Sequence, residues 1–156
     1  MEYNPFDLTA KLNYKTSLLA RIKVWFKRRK FIKERAQKGW SRYDAWEFDT
    51  YLAMVIGDGL EYLADSHMSH PWGYTPSEWN EKLTYISKCF KQYNEDPETP
   101  AYDAWEEARR SGVDSDKLEE LAIAWKKEEI AQYEQKMKRL KEGFELLYEV
   151  YPDLWD

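Results

Sequence analysis

Apolar residues recur at three- and four-residue steps through most of this chain and almost nowhere alternate, so the pattern predicts helices rather than strands. A first helix is predicted from Thr16, a residue type that caps helix N-termini, to Gly39, the type that ends them. Its expected core stripe is Leu18, Leu19, Ile22, Trp25, Phe26, Ile32 and Ala36. Arg29 interrupts that stripe, and either reaches past the core edge to solvent or pairs with a carboxylate from another helix. A second helix is predicted from Ser41, whose hydroxyl would cap the amides near Asp44, through Trp46, Phe48, Leu52, Ala53, Ile56, Leu60 and Leu63. Asp49 lies on that apolar face, as the expected ion-pair partner of Arg29 or a neighbouring base, with a ligand contact as the alternative. Gly57 and Gly59 each cost on the order of 1 kcal/mol relative to Ala inside a helix, which close helix approach or a kink would explain.

After a loop from Asp65 to Gly73 comes the clearest local signal: Thr75 to cap, Pro76 at the first helical position, Glu78 to complete a capping box, and Tyr74 to staple onto Trp79. The third helix then carries Trp79, Leu83, Ile86, Phe90 and Tyr93 inward and stops before the polar break Asn94 to Thr99. A short fourth helix is predicted after Thr99 and Pro100, ending at Gly112, and a long fifth from Asp114 or Ser115. In the fifth, Ile130, Tyr133, Met137, Leu140, Phe144, Leu147 and Tyr151 form a heptad seam, fit for packing within the chain or for dimerisation through Ile130, Met137, Leu140, Phe144 and Leu147. The tail Tyr151, Pro152, Asp153, Leu154, Trp155, Asp156 cannot continue far as helix, and is expected to fold back or dock on a partner. The pentapeptide Tyr43 to Glu47 recurs as Tyr102 to Glu106, which reads as one helix-start chemistry used twice. The fold class expected is therefore all-α: one helical domain over residues 1–156, a bundle of about five helices with a long C-terminal one.

Composition sharpens this picture in two ways. With 8 Trp, 12 Tyr and 6 Phe, aromatic rings should dominate the packing. The net charge of −5 hides a division: Lys11 to Arg42 holds 12 basic residues against one acid, Glu34, while everything from Tyr43 onward is strongly acidic. Either the two parts neutralise each other or the basic segment faces an anionic partner. No apolar stretch approaches the roughly 20 residues needed to cross a bilayer, and no basic-then-apolar leader opens the chain, so a cytoplasmic protein without a membrane partner is expected. The single cysteine, Cys89, allows no internal disulfide and reads as an inert core thiol.

Phosphate-cradling glycine loops, dinucleotide fingerprints, nucleophile elbows and metalloprotease helices are absent, so no catalytic residue, metal site or cofactor is predicted. His67 and His70 with Asp65 offer a weak metal constellation, better read as turn packing. The pairs Asp103 with Glu106 and Asp116 with Glu119 have the one-turn spacing used by all-α nucleotide pyrophosphohydrolases, a minor enzymatic alternative. The basic helix interleaves cations with rings from Lys23 to Arg35, a pattern that holds phosphates and stacks bases, while the acidic remainder disfavours extended duplex DNA.

Taken in order, Arg28 and Arg29 of the basic helix, then Gly39, Trp40, Ser41, Asp44, Trp46, Phe48 and Asp49, then Pro76, Glu78, Trp79, Leu83 and Phe90, resemble a family of small bacteriophage-encoded proteins. That family shares a basic helix, a Trp-Ser-x-x-Asp-x-Trp-x-Leu-Asp type element and a later Glu-Glu-Trp helix; the match covers roughly residues 21 to 93, with Phe48 for Leu and Ser77 for an acid. The resemblance implies a phage accessory protein acting in the cytoplasm of the infected host, with no catalytic residues to carry over. The function expected is non-enzymatic: sequestration of an anionic, nucleotide-type small molecule, with Arg28, Arg29 and Arg35 holding phosphate, Trp25 or Trp40 stacking, and Asp49 as a further ligand contact. The alternative is a protein-protein inhibitor that covers a host factor with the C-terminal helix and tail.

Overall fold

Two glycines in the left-handed region close helices where the sequence places their ends. Gly39 (φ 80°) follows α1, Leu18–Lys38, and its N–H donates to the Arg35 carbonyl at 2.8 Å. Gly112 (φ 70°) follows α4, Pro100–Arg110, where the Val113 N–H reaches back to the Ala108 carbonyl at 3.3 Å. The remaining helices are α2, Phe48–Ser66, α3, Pro76–Lys91, and α5, Ser115–Val150, with short 3-10 turns at Asp44–Glu47, Gln92–Asn94 and Tyr151–Asp153. The computed structural model describes residues 18–66, 70–95 and 97–154; in the first turns of α1 it describes the side chains of Ile22, Trp25 and Phe26 only, and from Arg28 every side chain. The architecture is all-α, with five α-helices among the described residues, the last of them 36 residues long, as the periodicity predicts. Thr16 and the side chains of Leu18 and Leu19, His67 and Trp155 lie outside the described residues.

Contacts divide the chain into two compact units, Met1–Val55 and Ile56–Asp156, with the boundary inside α2. In the second unit the predicted start of α3 is realised in full: the Thr75 hydroxyl accepts from the Glu78 N–H, the Glu78 carboxylate accepts from the Thr75 N–H at 2.8 Å, and Tyr74 packs on Trp79 with ring centroids 5.3 Å apart. The Glu78 carboxyl is held below its ordinary range, chiefly by that Thr75 N–H. Trp79, Leu83, Ile86 and Phe90 of α3 are all buried, at four of the five positions the stripe predicts, while the fifth, Tyr93, is half-buried in the 3-10 turn that follows α3.

Small residues let the neighbouring helices approach α3. A Cβ at Gly57 would stand 2.9 Å from Lys91 Cγ, and the Ser87 hydroxyl donates to the Gly57 carbonyl at 2.8 Å, so this glycine is explained by close approach. A Cβ at Gly143 of α5 would stand 2.8 Å from Cys89 Cβ and 3.3 Å from Phe90 Cε2. Cys89 is buried there, and burial pushes its thiol pKa up, as befits a packing group. Gly59 has nothing within 4 Å of a Cβ position, so no contact accounts for it.

The α4–α5 hairpin is closed by rings. Tyr102 meets the Trp125 ring edge-on at 5.0 Å and Trp105 lies 5.2 Å from Trp125. Glu128 of α5 accepts the Ala101 N–H at 2.9 Å, supplying the cap that the Thr99 side chain does not. The heptad seam divides: Phe144 packs edge-to-face on Phe90 at 4.9 Å, but Ile130, Tyr133 and Met137 are exposed.

Candidate functional site

The basic segment belongs to the first unit, and its local structure departs from the periodicity at two places. The predicted core stripe of α1 is not a core: Ile22, Trp25, Phe26, Ile32 and Ala36 are all exposed. A stripe with cations at nearly every position between its apolar residues can be buried only by removing those charges from water, and that cost outweighs what four or five apolar side chains return. The second departure is the start of α2. The chain turns at Ser41, whose carbonyl accepts the Asp44 and Ala45 amides, then runs as a 3-10 turn before α2 begins at Phe48. The capping runs opposite to expectation: the Asp44 carboxylate accepts from the Ser41 N–H at 2.7 Å and the Ser41 hydroxyl at 2.8 Å. Trp46, predicted inside, is 89% exposed, because the tighter turn rotates it away from the α2 face.

Asp44 has a second partner. Arg35, in the last turn of α1, donates to it from Nε at 2.8 Å and from a terminal nitrogen, forming a two-pronged ion pair with the wholly buried carboxylate. Burial pushes the Asp44 carboxyl up, but Arg35 and the two Ser41 donors outweigh it and hold it below the usual carboxylate range. Arg35 also lies 5.7 Å from the Tyr51 ring, whose hydroxyl donates to the Gly39 carbonyl. Beside this clasp, Glu34 accepts from the Arg42 N–H at 3.0 Å and pairs with its guanidinium, which holds the Glu34 carboxyl low. Arg35 and Arg42 are thus matched by carboxylates of their own unit, and Arg35 is committed to holding the elbow between α1 and α2.

The predicted ligand residues fall into two groups. Trp25, Arg28 and Arg29 stand at three- and four-residue spacing on α1, all exposed. The Arg29 guanidinium lies 4.0 Å over the Trp25 ring, and Phe26 meets the same ring edge-on at 5.0 Å. Arg29 is thus engaged by a cation-π stack within its own helix. Arg35 stands six residues beyond Arg29, about 9 Å along the helix axis, and with it Trp40, which packs edge-on against Phe48 and has Lys38 at 5.4 Å. Asp49 is exposed in the first turn of α2, where the helix dipole favours an acid. Phe26 and Ile22, assigned to the core from periodicity, share the open face with Trp25; the density of cations around them was the signal that they are wet.

The other candidate centres are weaker. Among the described residues no group of three or more His, Cys, Asp and Glu is arranged to hold a metal ion. Both oxygens of Glu106 are taken by Arg109 and Arg110, and the side-chain bonds from Arg109 lead in lowering its pKa to about 2. His70 lies 3.4 Å from the Pro71 carbonyl, the turn packing expected for it. Among the described residues no helix is long and apolar enough to cross a membrane.

No family model, curated protein or solved structure matches the chain. The functional reading therefore rests on the residues of α1 and the elbow that ends it.

Proposed function

We propose that this chain is a non-enzymatic binding protein whose first helix takes an anionic, nucleotide-type ligand. The observation that carries the reading is the exposed stack of Arg29 on Trp25. A guanidinium 4.0 Å over an indole, with no carboxylate partner among the described residues, keeps donors for a guest. A phosphate accepts from Arg29, and a base stacks on the guanidinium plane or the exposed indole. Arg35 is a positioning residue in this scheme: bound to Asp44, it fixes where α1 ends and presents Trp40. Asp49 and Trp40 belong to the elbow that Arg35 holds. The residues that carry the likeness to phage-encoded proteins include Arg28, Arg29, Trp40, Asp44 and Asp49, and on that basis we place the ligand among the nucleotide signals of an infected host.

Isothermal calorimetry with a panel of linear and cyclic nucleotides tests this. Binding by the native chain, weakened at least about tenfold in Arg29→Ala and in Trp25→Ala, is expected, since each removes one half of the stack. Quenching of indole fluorescence that disappears in Trp25→Ala would tie the ligand to that ring. No heat from any nucleotide with folded protein rejects the proposal, as does binding that both substitutions leave unchanged.

A further inference from the structure

One face of α5 is apolar and open along most of its length. Ile123, Ile130, Met137, Phe144 and Tyr151 follow one another at seven-residue steps, with Tyr133 and Tyr148 beside them, and all seven are exposed, from 38% at Met137 to 84% at Tyr148. The helical rise carries this stripe about 42 Å, and a helix face of that length covers roughly 600 Å². Two such faces together bury about 1,200 Å², the lower bound of stable specific interfaces, whereas an isolated exposed side chain would need no explanation.

The flanks of the stripe decide what covers it. On one side stand Glu129, Lys136 and Gly143, and this side is occupied by the chain itself: Gly143 is buried against Cys89 and Phe90, and Lys136 lies 5.5 Å from the Tyr93 ring. The other flank is open and reads Lys127, Glu134, Lys141, Tyr148, again at seven-residue steps. Its charges are lightly engaged: Glu134 makes no ion pair among the described residues, and Lys141 makes a loose one with Glu145 at 3.7 Å. A parallel pair of such helices would set Glu129 against Glu134 and Lys136 against Lys141 of the second copy, repulsive at both steps. An antiparallel pair centred between Met137 and Leu140 brings open flank to open flank. Glu134 then faces Lys141 of the second copy, the reciprocal pair forms by symmetry, and Lys127 reaches the Tyr148 ring.

We infer that α5 is a self-association surface, closed by an antiparallel, two-fold pairing with a second copy of this chain. The flank is self-complementary in that orientation alone, which distinguishes a second copy from an unrelated partner of arbitrary charge. The inference stands apart from the nucleotide reading, since α1 takes no part in it.

Sedimentation equilibrium on the full chain tests it. A reversible species of twice 18.9 kDa is expected. The double substitution Ile130→Glu with Met137→Glu should give a monomer of unchanged helicity by circular dichroism. Glu134→Lys and Lys141→Glu should each weaken the dimer about tenfold, since each replaces two attractive pairs by two repulsive ones, and combining them should restore it to within about threefold. Native protein that stays monomeric to about 1 mM, weaker than any specific interface of this size, overturns the proposal and leaves the stripe to the chain's own residues or to a host protein. A dimer indifferent to the two glutamates overturns it as well, and so does a charge-reversed double variant weaker than either single one. Should the double glutamate variant fail to fold, the charge-reversal series decides alone.

Discussion

The Arg35–Asp44 clasp makes the sharpest prediction. Asp44→Ala strands the Ser41 N–H, the Ser41 hydroxyl and two guanidinium donors, in a place where Ser41 is wholly buried and the Arg35 side chain is 12% exposed. The hydroxyl can rotate to another acceptor, so it contributes little. A buried amide without a partner costs about 1–3 kcal/mol, and breaking a buried ion pair costs about 3–5 kcal/mol when the surviving charge is sealed in. Arg35 keeps an edge to water, so its share falls below the range for a sealed charge, to about 2 kcal/mol, and with about 1 kcal/mol for the amide the loss comes to about 3 kcal/mol; Asp44→Asn, which retains one acceptor oxygen, should lose about half of that. Amide hydrogen exchange over residues 35–51 is the assay, because these amides report the first unit while those of α3 serve as the internal reference. A loss of 3 kcal/mol accelerates exchange there by about 100-fold or more. The sign of the pH dependence follows from the depressed Asp44 carboxyl: its contribution is present above the ordinary aspartate range near 3.8 and disappears as pH falls through the lowered folded value. Protection in the elbow should therefore fall off in acid in the native chain and depend far less on pH in Asp44→Asn. Elbow exchange in Asp44→Ala within about twofold of native, or the same acid loss in Asp44→Asn, would refute the reasoning.

Glycine substitutions separate tight helix approach from open helix surface. Gly59→Ala, with space around the new methyl, should stabilise by about 0.5–1 kcal/mol in urea unfolding, while Gly143→Ala, driven into Cys89 and Phe90, should destabilise by about 2 kcal/mol or more; equal effects would mean that α3 and α5 are not in close contact. The Glu106 carboxyl should titrate near 2 by carbon-detected NMR and return towards 4.5 in Arg109→Ala with Arg110→Ala. Its ionised form, depressed in the fold, favours folding above 4.5 and ceases to do so as pH falls through about 2. A native value near 4.5 would show that Arg109 and Arg110 do not hold it in solution.

Most helix ends were legible in the residues because they depend on near neighbours; the start of α2, expected at Ser41 and found at Phe48, was the exception. Thr75, Pro76 and Glu78 begin α3, Gly39 and Gly112 end α1 and α4, and Asp114 caps α5 by accepting the Lys117 N–H at 3.0 Å. The α3 core was legible too, since its apolar residues repeat without interruption. Burial along α1 was not. Periodicity assigns a face but says nothing of whether anything covers it, and the cations between Ile22 and Ile32 carry the opposite information. The Arg35–Asp44 pair was invisible for a related reason: it joins residues nine apart across a turn, where helical spacing offers no guide, and Asp44 looked like an ordinary first-turn acid. In the candidate site, the proximity of Trp25, Arg28 and Arg29 follows from spacing alone, whereas the commitment of Arg35 to Asp44 required the turn.

The repeated pentapeptide shows how that information is divided. Tyr102 to Glu106 follows Pro100, which starts α4 early enough to place Tyr102 and Trp105 on one face against Trp125, and leaves Asp103 exposed. Tyr43 to Glu47 follows Gly39 and Ser41 instead, and the same residues enter a 3-10 turn that buries Asp44 and turns Trp46 out to water. Arginine placement completes the contrast. In α4 the available guanidiniums, Arg109 and Arg110, lie one turn ahead and engage the glutamate of the motif; at the elbow Arg35 lies behind it on another helix and engages the aspartate. A short sequence thus fixes a backbone able to start a helix, and the nearest fixed cation decides which of its acids becomes structural. Neither copy of the motif engages Arg29, which is seated over the Trp25 ring instead.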